Sequence, residues 1–241
     1  MNLHDLKNLK TDLTRFMMAY KFAVDEVETK INILREEFQF IHDYSPIEHV
    51  TSRVKSPERI IKKVMRKKLE LSLPSIKEHI RDIAGIRITC SFVPDIYKVS
   101  EMLQKQKDIT VVETKDYIQN PKPNGYRSLH LIIEIPIFMS DRVEHVPVEI
   151  QIRTIAMDFW ASLEHKIFYK YNKDVPDDLL QELKEAATAA SMLDQKMQRI
   201  NEEIKLVKEK NELDEMKLNG SNNTLAEIPF LVENFLLSGK K

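Results

Sequence analysis

The sequence is short of glycine and cysteine, and both shortages exclude kinds of function. Its 241 residues include 4 glycines, and Gly220 and Gly239 lie near the end of the chain. Neither a Walker loop nor a GxGxxG turn can be written around the other two, Gly85 and Gly125. If the chain binds phosphates, side chains must therefore hold them. The single cysteine, Cys90, excludes an internal disulfide, which agrees with a reducing compartment.

Long apolar runs and a large net charge are also missing. No run of about 18 apolar residues is present for a membrane span, and the N-terminus lacks the apolar core of a signal peptide. We therefore expect a cytoplasmic protein with no membrane partner. The chain carries 37 basic and 38 acidic side chains, so any affinity for nucleic acid or phosphate must come from local patches. Its length and its 42% of hydrophobic residues suit a globular protein with a real core.

The spacing of apolar residues predicts helices at both ends of the chain and strands in the middle. Helical spacing predicts a long amphipathic helix over residues 3–42, a second helix after Ser56-Pro57 and a third after Thr154. The fold class is therefore α/β (α+β), with a mixed sheet of about five strands flanked by helices and with long N- and C-terminal helices. The predicted strands are residues 86–92, 109–117, 126–131 and 146–154, with a helix at about 95–106.

The C-terminal helix carries a heptad pattern. Apolar residues from Leu179 to Val207 step by alternate fours and threes, which forms a seam along the helix. Such a seam packs either on the core of its own chain or against another subunit, and the pattern leaves both open. Residues 208–224 are charged and then polar, and we expect them to be loose. A short apolar helix predicted near residues 228–237 could dock on a partner.

A basic segment, residues 51–68, stands out in this neutral chain. It contains 8 Lys or Arg side chains, and Glu58 is its only acidic residue. Three interpretations stay open: a solvated surface, an RNA-binding surface with steep salt dependence, or one wall of a nucleotide pocket. In the pocket, cations one helical turn apart, such as Arg59 and Lys63, would converge on a triphosphate. The lack of a glycine-rich loop favours the pocket if a nucleotide is bound.

Strand parity gives three of the predicted strands a polar row, because residues two apart share a face. A half-solvated sheet shows the same alternation without any chemical role. These rows, however, combine a carboxylate with Arg, His, Gln and Tyr, which are groups that bind phosphate, metal and a flat base. The rows are Arg87 and Thr89, then Tyr126, Ser128 and His130, then Glu149, Gln151 and Arg153.

Two carboxylates can meet at the ends of these strands. Asp82 comes just before the strand that holds Arg87, and from an adjacent strand it could approach Glu149. Paired carboxylates suit Mg²⁺, which commonly takes one or two protein carboxylates and completes its shell with water and substrate phosphate. Ion pairing with Arg81 or Arg87 is the alternative. Trp160, near the apolar stripe of the helix after Thr154, is expected in the core.

Four motifs follow one another along the chain: RVKSPERIIKKVMRK, HIRDIAGIRI, KPNGYRSLH and VEIQIRTIAMDFWASLEHKIFYK. In this order and spacing they resemble the synthetase domain of the RelA/SpoT homologue family, over about residues 45–200. The length and the heptad-bearing helix look like its stand-alone members, the small alarmone synthetases of bacteria. The resemblance implies transfer of the β,γ-pyrophosphoryl group of ATP to the ribose 3′-hydroxyl of GDP or GTP, which gives ppGpp or pppGpp and AMP. Binding of RNA by residues 51–68 is the alternative function.

The resemblance also implies roles for single residues. Asp82 matches the metal-binding aspartate, and Glu149 matches the glutamate credited with metal contact and with activation of the 3′-hydroxyl. Arg53 and Arg87 match the pair that sandwiches adenine, while Tyr126 matches the tyrosine that stacks on guanine above the tight turn at Gly125. Residues that fall where the family grips the ATP phosphates are Lys55, Arg59, Lys63 and Arg66. Candidates for contacts with the acceptor nucleotide are Lys122, His130, Gln151, Arg153 and, at the guanine edge, Asp158.

The resemblance further implies Mg²⁺ as cofactor and a homo-oligomer, with a tetramer favoured. We divide the chain into an N-terminal helical segment (1–44), a synthetase core (45–175) and a C-terminal helical oligomerisation segment with its tail (176–241). Only a long helix and a short connector precede the basic segment, so we expect no hydrolase activity. The preference between GDP and GTP is left open.

Overall fold

The structure is a computed structural model that describes residues 3–42, 44–168 and 175–219. Helices and strands alternate through the middle of the chain, between two long helices. The helices are α1 (Leu3–Ile41), α2 (Pro57–Arg66), α3 (Leu73–His79), α4 (Val93–Gln104), α5 (Ile155–Phe168) and α6 (Asp177–Asn219). The strands are β1 (His49–Val54), β2 (Ala84–Cys90), β3 (Thr110–Asp116), β4 (Leu129–Phe138) and β5 (Val143–Thr154).

The strands form one five-stranded mixed sheet in the order β1-β2-β5-β4-β3. β2 and β5 run parallel, and the other neighbours are antiparallel. Alternation decides which face is buried, because Val148, Ile150 and Ile152 of β5 are fully buried while Glu149 and Gln151 between them are only half-buried. The predicted fold class is confirmed.

α1 and α4 supply the helical side of the core. α1 buries a stripe that includes Tyr20, Val24, Val27 and Ile31, in the same apolar cluster as the buried residues of β2, β4 and β5. The helix predicted over residues 3–42 is therefore confirmed. It belongs to a compact unit that reaches from Met1 to Lys196, whereas the division of the chain at residues 45 and 176 stays a prediction.

Two elements were not predicted from the sequence, β1 and α3. β1 overlaps the start of the basic segment as an edge strand, and only Val50 and Val54 of its six residues are half-buried. An edge strand that is mostly exposed needs no apolar alternation, so the sequence pattern did not show it. The strand expected from Tyr126 begins at Leu129, which leaves Tyr126 in the preceding turn.

α5 and the first part of α6 form a small second cluster. Trp160 is 7% exposed, packs with Ala161 and Ala187, and its indole Nε1 donates a hydrogen bond of 3.1 Å to the Leu183 carbonyl. The predicted core position of Trp160 is confirmed. The opposite stripe of α5, which includes Ile155 and Phe159, is exposed in the single chain.

A second unit, Met197–Lys241, is described as far as residue 219, as the remainder of α6. The polar stretch expected to be loose from residue 208 is helical up to Asn219, so that expectation was wrong for residues 208–219. The short apolar helix expected near residues 228–237 lies outside the described residues. Within the described part of the chain, no helix is long and apolar enough to cross a membrane.

Candidate active site

A cavity of about 240 Å³ opens over the polar face of β1, β2 and β5. The register of the sheet brings the lining residues together, because Arg53 lies opposite Gly85 and Gly85 lies opposite Glu149. Two of the predicted sites are thereby joined, since the predicted arginine pair and the predicted catalytic residue Glu149 line one cavity. The lining residues are Thr51, Ser52, Arg53, Gly85, Ile86, Arg87, Glu149 and Gln151.

Asp82 is held by the two lysines that the sequence analysis assigned to ATP phosphates. Lys55 Nζ and Lys63 Nζ each donate to Asp82 Oδ2 at 2.6 Å. Burial raises the pKa of Asp82, but the two ammonium groups outweigh that effect and the pKa is lowered overall. Ion pairing of Asp82, the alternative to a metal role, is therefore present, with these lysines as partners instead of Arg81 or Arg87. Asp82 is thus an ionised carboxylate paired with two ammonium groups.

The other oxygen of this carboxylate, Asp82 Oδ1, is buried and has no hydrogen-bond partner among the described residues. A buried carboxylate oxygen without a partner is costly unless a ligand completes it. In the described part of the chain, no group of three or more His, Cys, Asp or Glu side chains could hold a metal by itself. Mg²⁺ needs only one or two carboxylates when substrate phosphates fill its shell, so Asp82 and Glu149 fit this ion.

Glu149 is the second carboxylate of the site. His130 Nδ1 lies 3.6 Å from Glu149 Oε1, and Gln151 Nε2 donates to Oε2 at 3.0 Å. Burial raises the pKa of Glu149 and so does the charge of Asp82, but the contacts with His130 and Gln151 lower it overall. Glu149 is thus an ionised, partly desolvated carboxylate that can accept a proton.

Three predicted acceptor residues converge on Tyr126, and a fourth, Gln151, joins them through Arg153. Arg153 Nη2 donates to Tyr126 Oη at 2.6 Å, and His130 Nε2 lies 2.7 Å from the same oxygen. Lys122 Nζ lies 4.7 Å from the ring centroid, while the guanidinium carbon of Arg153 lies 5.1 Å from it. Arg153 also donates to Gln151 Oε1 at 2.7 Å, which links Tyr126 to the cavity. The structure therefore brings Lys122, Tyr126, His130, Gln151 and Arg153 together.

Asp158 bridges the two halves of the site. Its Oδ1 accepts from Arg153 Nη1 at 3.1 Å and lies 3.1 Å from Arg87 Nη1. Burial lowers the pKa of Arg87, and the positive charge of Arg153 lowers it further. Asp158 in the first turn of α5 therefore separates two cations that would otherwise repel each other. Its assignment to the guanine edge stays a prediction.

Arg59 and Arg66 are the two predicted residues that the structure leaves apart from this network. Both are exposed on α2, and within the described residues neither makes an ion pair or a hydrogen bond through its side chain. α2 buries Ile60 and Val64, and this orientation turns Lys63 toward Asp82. Arg59 and Arg66 can reach a phosphate only from the solvent side of the helix.

Sequence reasoning missed Tyr117 and Lys115. Tyr117, in the turn after β3, lies with its ring centroid 5.2 Å from that of His130 and 6.0 Å from that of Tyr126. Lys115 is the β3 residue opposite His130 in the antiparallel register. Lys115 lies near the end of β3 and Tyr117 just after it, where no motif indicates a site, and their nearness to the site follows only from the pairing of β3 with β4.

The turn beneath Tyr126 is fixed by α6 as well as by its own geometry. Gly125 has φ +87°, as expected for the predicted tight turn, and its N–H donates to the Lys122 carbonyl at 2.8 Å. A Cβ added at Gly125 would lie 2.5 Å from the Ala187 Cβ. Farther along α6, Asp194 accepts a buried hydrogen bond of 2.6 Å from Thr154 Oγ1 at the end of β5. The first part of α6 thus packs against the turn that carries Tyr126 and against the end of β5.

Comparison with known proteins gives matches that include the candidate residues of this site. A family model described as a region found in RelA/SpoT proteins matches residues 52–174, a range that contains every candidate residue named above. The chain is 56% identical over 203 residues to the GTP pyrophosphokinase YwaC of Bacillus subtilis, which is 84% of this chain and 97% of that protein. The crystal structure of small alarmone synthetase 2 from Bacillus subtilis matches with a TM-score of 0.73 at 56% identity, over 80% of this chain and 99% of that one. Small alarmone synthetase 1 from Bacillus subtilis, bound to its product pppGpp, matches with a TM-score of 0.74 at 44% identity, over 80% and 98% of the two chains.

Proposed function

The chain belongs to the RelA/SpoT family, and we propose that it acts as a stand-alone small alarmone synthetase, a GTP pyrophosphokinase. It transfers the β,γ-pyrophosphoryl group of ATP to the 3′-hydroxyl of GDP or GTP, which yields ppGpp or pppGpp together with AMP. The observation that supports this best is the position of Glu149 between two base-binding sets. Arg53 and Arg87 lie on one side of it, and Tyr126 lies on the other.

In this reaction the 3′-oxygen of the acceptor attacks the β-phosphorus of ATP. The bond between the β-phosphorus and the oxygen that bridges it to the α-phosphorus breaks, and AMP leaves with that oxygen. Glu149 takes the proton of the 3′-hydroxyl, for which its lowered pKa keeps it ionised. The guanidinium planes of Arg53 and Arg87 hold adenine, and Tyr126 stacks on guanine, so that the two reacting atoms are aligned.

We propose that Lys55 and Lys63, with Arg59 and Arg66 from the solvent side, bind the ATP phosphates. Asp82 and Glu149 would hold Mg²⁺, which would neutralise phosphate charge during the transfer. The ion pairs of Asp82 with the two lysines then have a direct consequence. A triphosphate attracts the lysines, and the carboxylate that they neutralise becomes available to a cation.

Removal of one of these lysines should make the nucleotide-free protein a better cation binder. Lys63→Met deletes one of the two charges that neutralise Asp82, so we expect Mn²⁺ to bind about 3- to 10-fold more tightly while pyrophosphoryl transfer falls. Free Mn²⁺ measured by electron paramagnetic resonance gives the affinity without any turnover. Lys62→Met, on the exposed side of the same helix, is the matched control. Equal Mn²⁺ affinity in the two variants would contradict the metal role of Asp82.

The function itself is tested by incubation of the purified protein with ATP, Mg²⁺ and either GDP or GTP. Anion-exchange chromatography should resolve AMP and a guanosine tetra- or pentaphosphate, and chelation of Mg²⁺ with EDTA should abolish both. No such product with either acceptor, from folded protein, would refute the proposal. Retention of RNA that weakens steeply with salt would then favour the alternative, binding through residues 51–68. A cytoplasmic location and the lack of hydrolase activity stay predictions.

We also propose that the protein is a homo-oligomer, with a tetramer favoured, because the seam of α6 is open in the single chain. Leu193 is 54% exposed, and Ile200 and Ile204 are 38% and 51% exposed. Together with the exposed stripe of α5, these side chains leave large apolar groups in solvent, and exposed apolar patches of this kind mark interaction surfaces. The heptad spacing suits a helix from a second copy.

A double substitution in the seam, Leu193→Asp with Ile200→Asp, is expected to break this association. Buried like charges in a helix pair are strongly unfavourable, so the mass from multi-angle light scattering should fall to that of one chain, 28.3 kDa. Thr188→Asp with Gln195→Asp adds the same charge at exposed positions of α6 with the same spacing, and it should leave the mass unchanged. If the seam substitutions leave the oligomer mass unchanged, this assignment of the interface is wrong.

A further inference from the structure

Lys122 is held between two tyrosine rings. Its Nζ lies 4.6 Å from the Tyr117 centroid and 4.7 Å from the Tyr126 centroid. Both distances are within the range in which a cation is attracted by an aromatic face. The two ring planes are inclined by 69°, so the ammonium lies in a wedge between them.

Local hydrogen bonds fix the turn that carries Tyr117. In the turn after β3, the N–H groups of Ile118 and Gln119 donate to Asp116 Oδ1 at 2.8 and 3.0 Å. The Tyr117 N–H donates to the Ser128 carbonyl at 3.0 Å. None of these bonds involves the Tyr117 side chain, so the ring is positioned by the turn and does not itself hold the turn together.

A purine that stacks on Tyr126 competes with Lys122 for the surface of that ring. A base and an ammonium cannot occupy the same face at van der Waals distance, so a base that stacks on the face next to Lys122 displaces the ammonium from Tyr126. The Tyr117 ring, 4.6 Å from the ammonium, is then the remaining aromatic partner. It keeps the positive charge next to a ligand that carries several negative charges.

On the premise of the proposed function, we propose that Tyr117 is a positioning residue for the guanosine acceptor, which retains Lys122 at the edge of the guanine site when the base stacks on Tyr126. Tyr117 acts on binding of the guanosine 5′-phosphate, because its contact is with Lys122 at the acceptor side. ATP lies on the other side of Glu149, beside Arg53 and Arg87, and its binding does not depend on Tyr117.

Tyr117→Leu and Tyr117→Phe separate the aromatic face from the hydroxyl. The Leu variant loses the cation–π contact, and we expect the KM for GDP to rise about 3- to 10-fold while kcat and the KM for ATP change by less than about twofold. The Phe variant keeps the ring and should match the parent. Calorimetric titration with GDP should show the same loss of affinity as the KM. If the Leu variant unfolds at assay temperature, Tyr117→Met gives the same comparison.

A double-mutant cycle with Lys122→Met decides whether Tyr117 acts through Lys122. If it does, Tyr117→Leu has no further effect on the KM for GDP once Lys122 is Met. The inference would be overturned if the effects of the two substitutions on the KM for GDP multiply. It would also be overturned if Tyr117→Leu leaves that KM unchanged, or if it raises the KM for GDP and the KM for ATP equally. Failure of the proposed function gives a different result, because the parent itself would then neither bind GDP nor form a product.

Discussion

Glu149→Gln is expected to lower kcat for pyrophosphoryl transfer by about 10²- to 10⁴-fold, which is the usual contribution of a positioned general base. The amide keeps the shape of the side chain, but it cannot take the 3′-hydroxyl proton and is a poor ligand for Mg²⁺. The parent carboxylate has a lowered pKa in spite of burial, through its contacts with His130 and Gln151. Those contacts keep the base ionised in the nucleotide-free protein, so that no proton has to be removed first.

A matched variant on the same face of the sheet controls for this substitution. Glu134 lies on β4 opposite Pro147, outside the lining of the cavity over β1, β2 and β5. Glu134→Gln makes the same chemical change and should retain the parent kcat. Steady-state rates from the anion-exchange assay compare the two variants, and circular dichroism checks that both fold. More than about a tenth of the parent kcat in Glu149→Gln would exclude the general-base role.

The sequence predicted the positions of several candidate residues on their strands and helices, because these positions depend on local periodicity. Glu149, Gln151 and Arg153 share a face of β5 because strand side chains alternate, and this requires no knowledge of the partner strand. The start of the helix after Ser56-Pro57 is predicted by a proline at its first position. Lys63 lies on the side of this helix that faces Asp82. The tight turn at Gly125 was likewise predicted from the residues of the turn itself.

What the sequence did not predict depends on contacts between distant segments. Asp82 is neutralised by Lys55, 27 residues away, and by Lys63, 19 residues away. Two candidate metal ligands and two candidate phosphate ligands therefore look independent in the sequence, although three of them form one ion cluster. Tyr117 reaches the site only because β3 pairs with β4, and β1 has too little apolar alternation to be seen. Tertiary pairing sets these contacts, and no local propensity encodes them.

Carboxylates lie next to the half-buried and buried cations of the site. Asp82 contacts Lys55 and Lys63, and Asp158 contacts Arg87 and Arg153. Buried charges are tolerated only when they are paired, which is why these four cations have carboxylate partners. When a nucleotide binds, its phosphates replace the carboxylates as partners of these cations. No buried cation is then left without an anion. This exchange explains how a neutral chain can bind two highly charged substrates without a glycine-rich loop.

Gly125→Ala is expected to lower the free energy of unfolding by about 2–5 kcal/mol, for two reasons that can be separated. A side chain at φ +87° costs about 1–2 kcal/mol, because Cβ approaches the following carbonyl oxygen. The added Cβ would also lie 2.5 Å from the Ala187 Cβ, so the turn or α6 must move, which typically costs about 1–3 kcal/mol. Because Tyr126 is the next residue, the KM for the acceptor should rise in the same variant. Chemical denaturation and the GDP dependence of the rate measure the two effects.

Ala187→Gly distinguishes the clash from the backbone strain. In the Gly125→Ala background it removes the atom that the new Cβ meets, so it should restore the part of the stability lost to the clash and leave the part lost to φ. The coupling free energy between the two positions is then about 1–3 kcal/mol. Gly85→Ala is the control for a glycine without either constraint, because its added Cβ would lie 3.7 Å from Arg53 Nε, an ordinary contact. Strictly additive effects of Gly125→Ala and Ala187→Gly would mean that α6 does not constrain the turn, and the acceptor site would then be shaped by the turn alone.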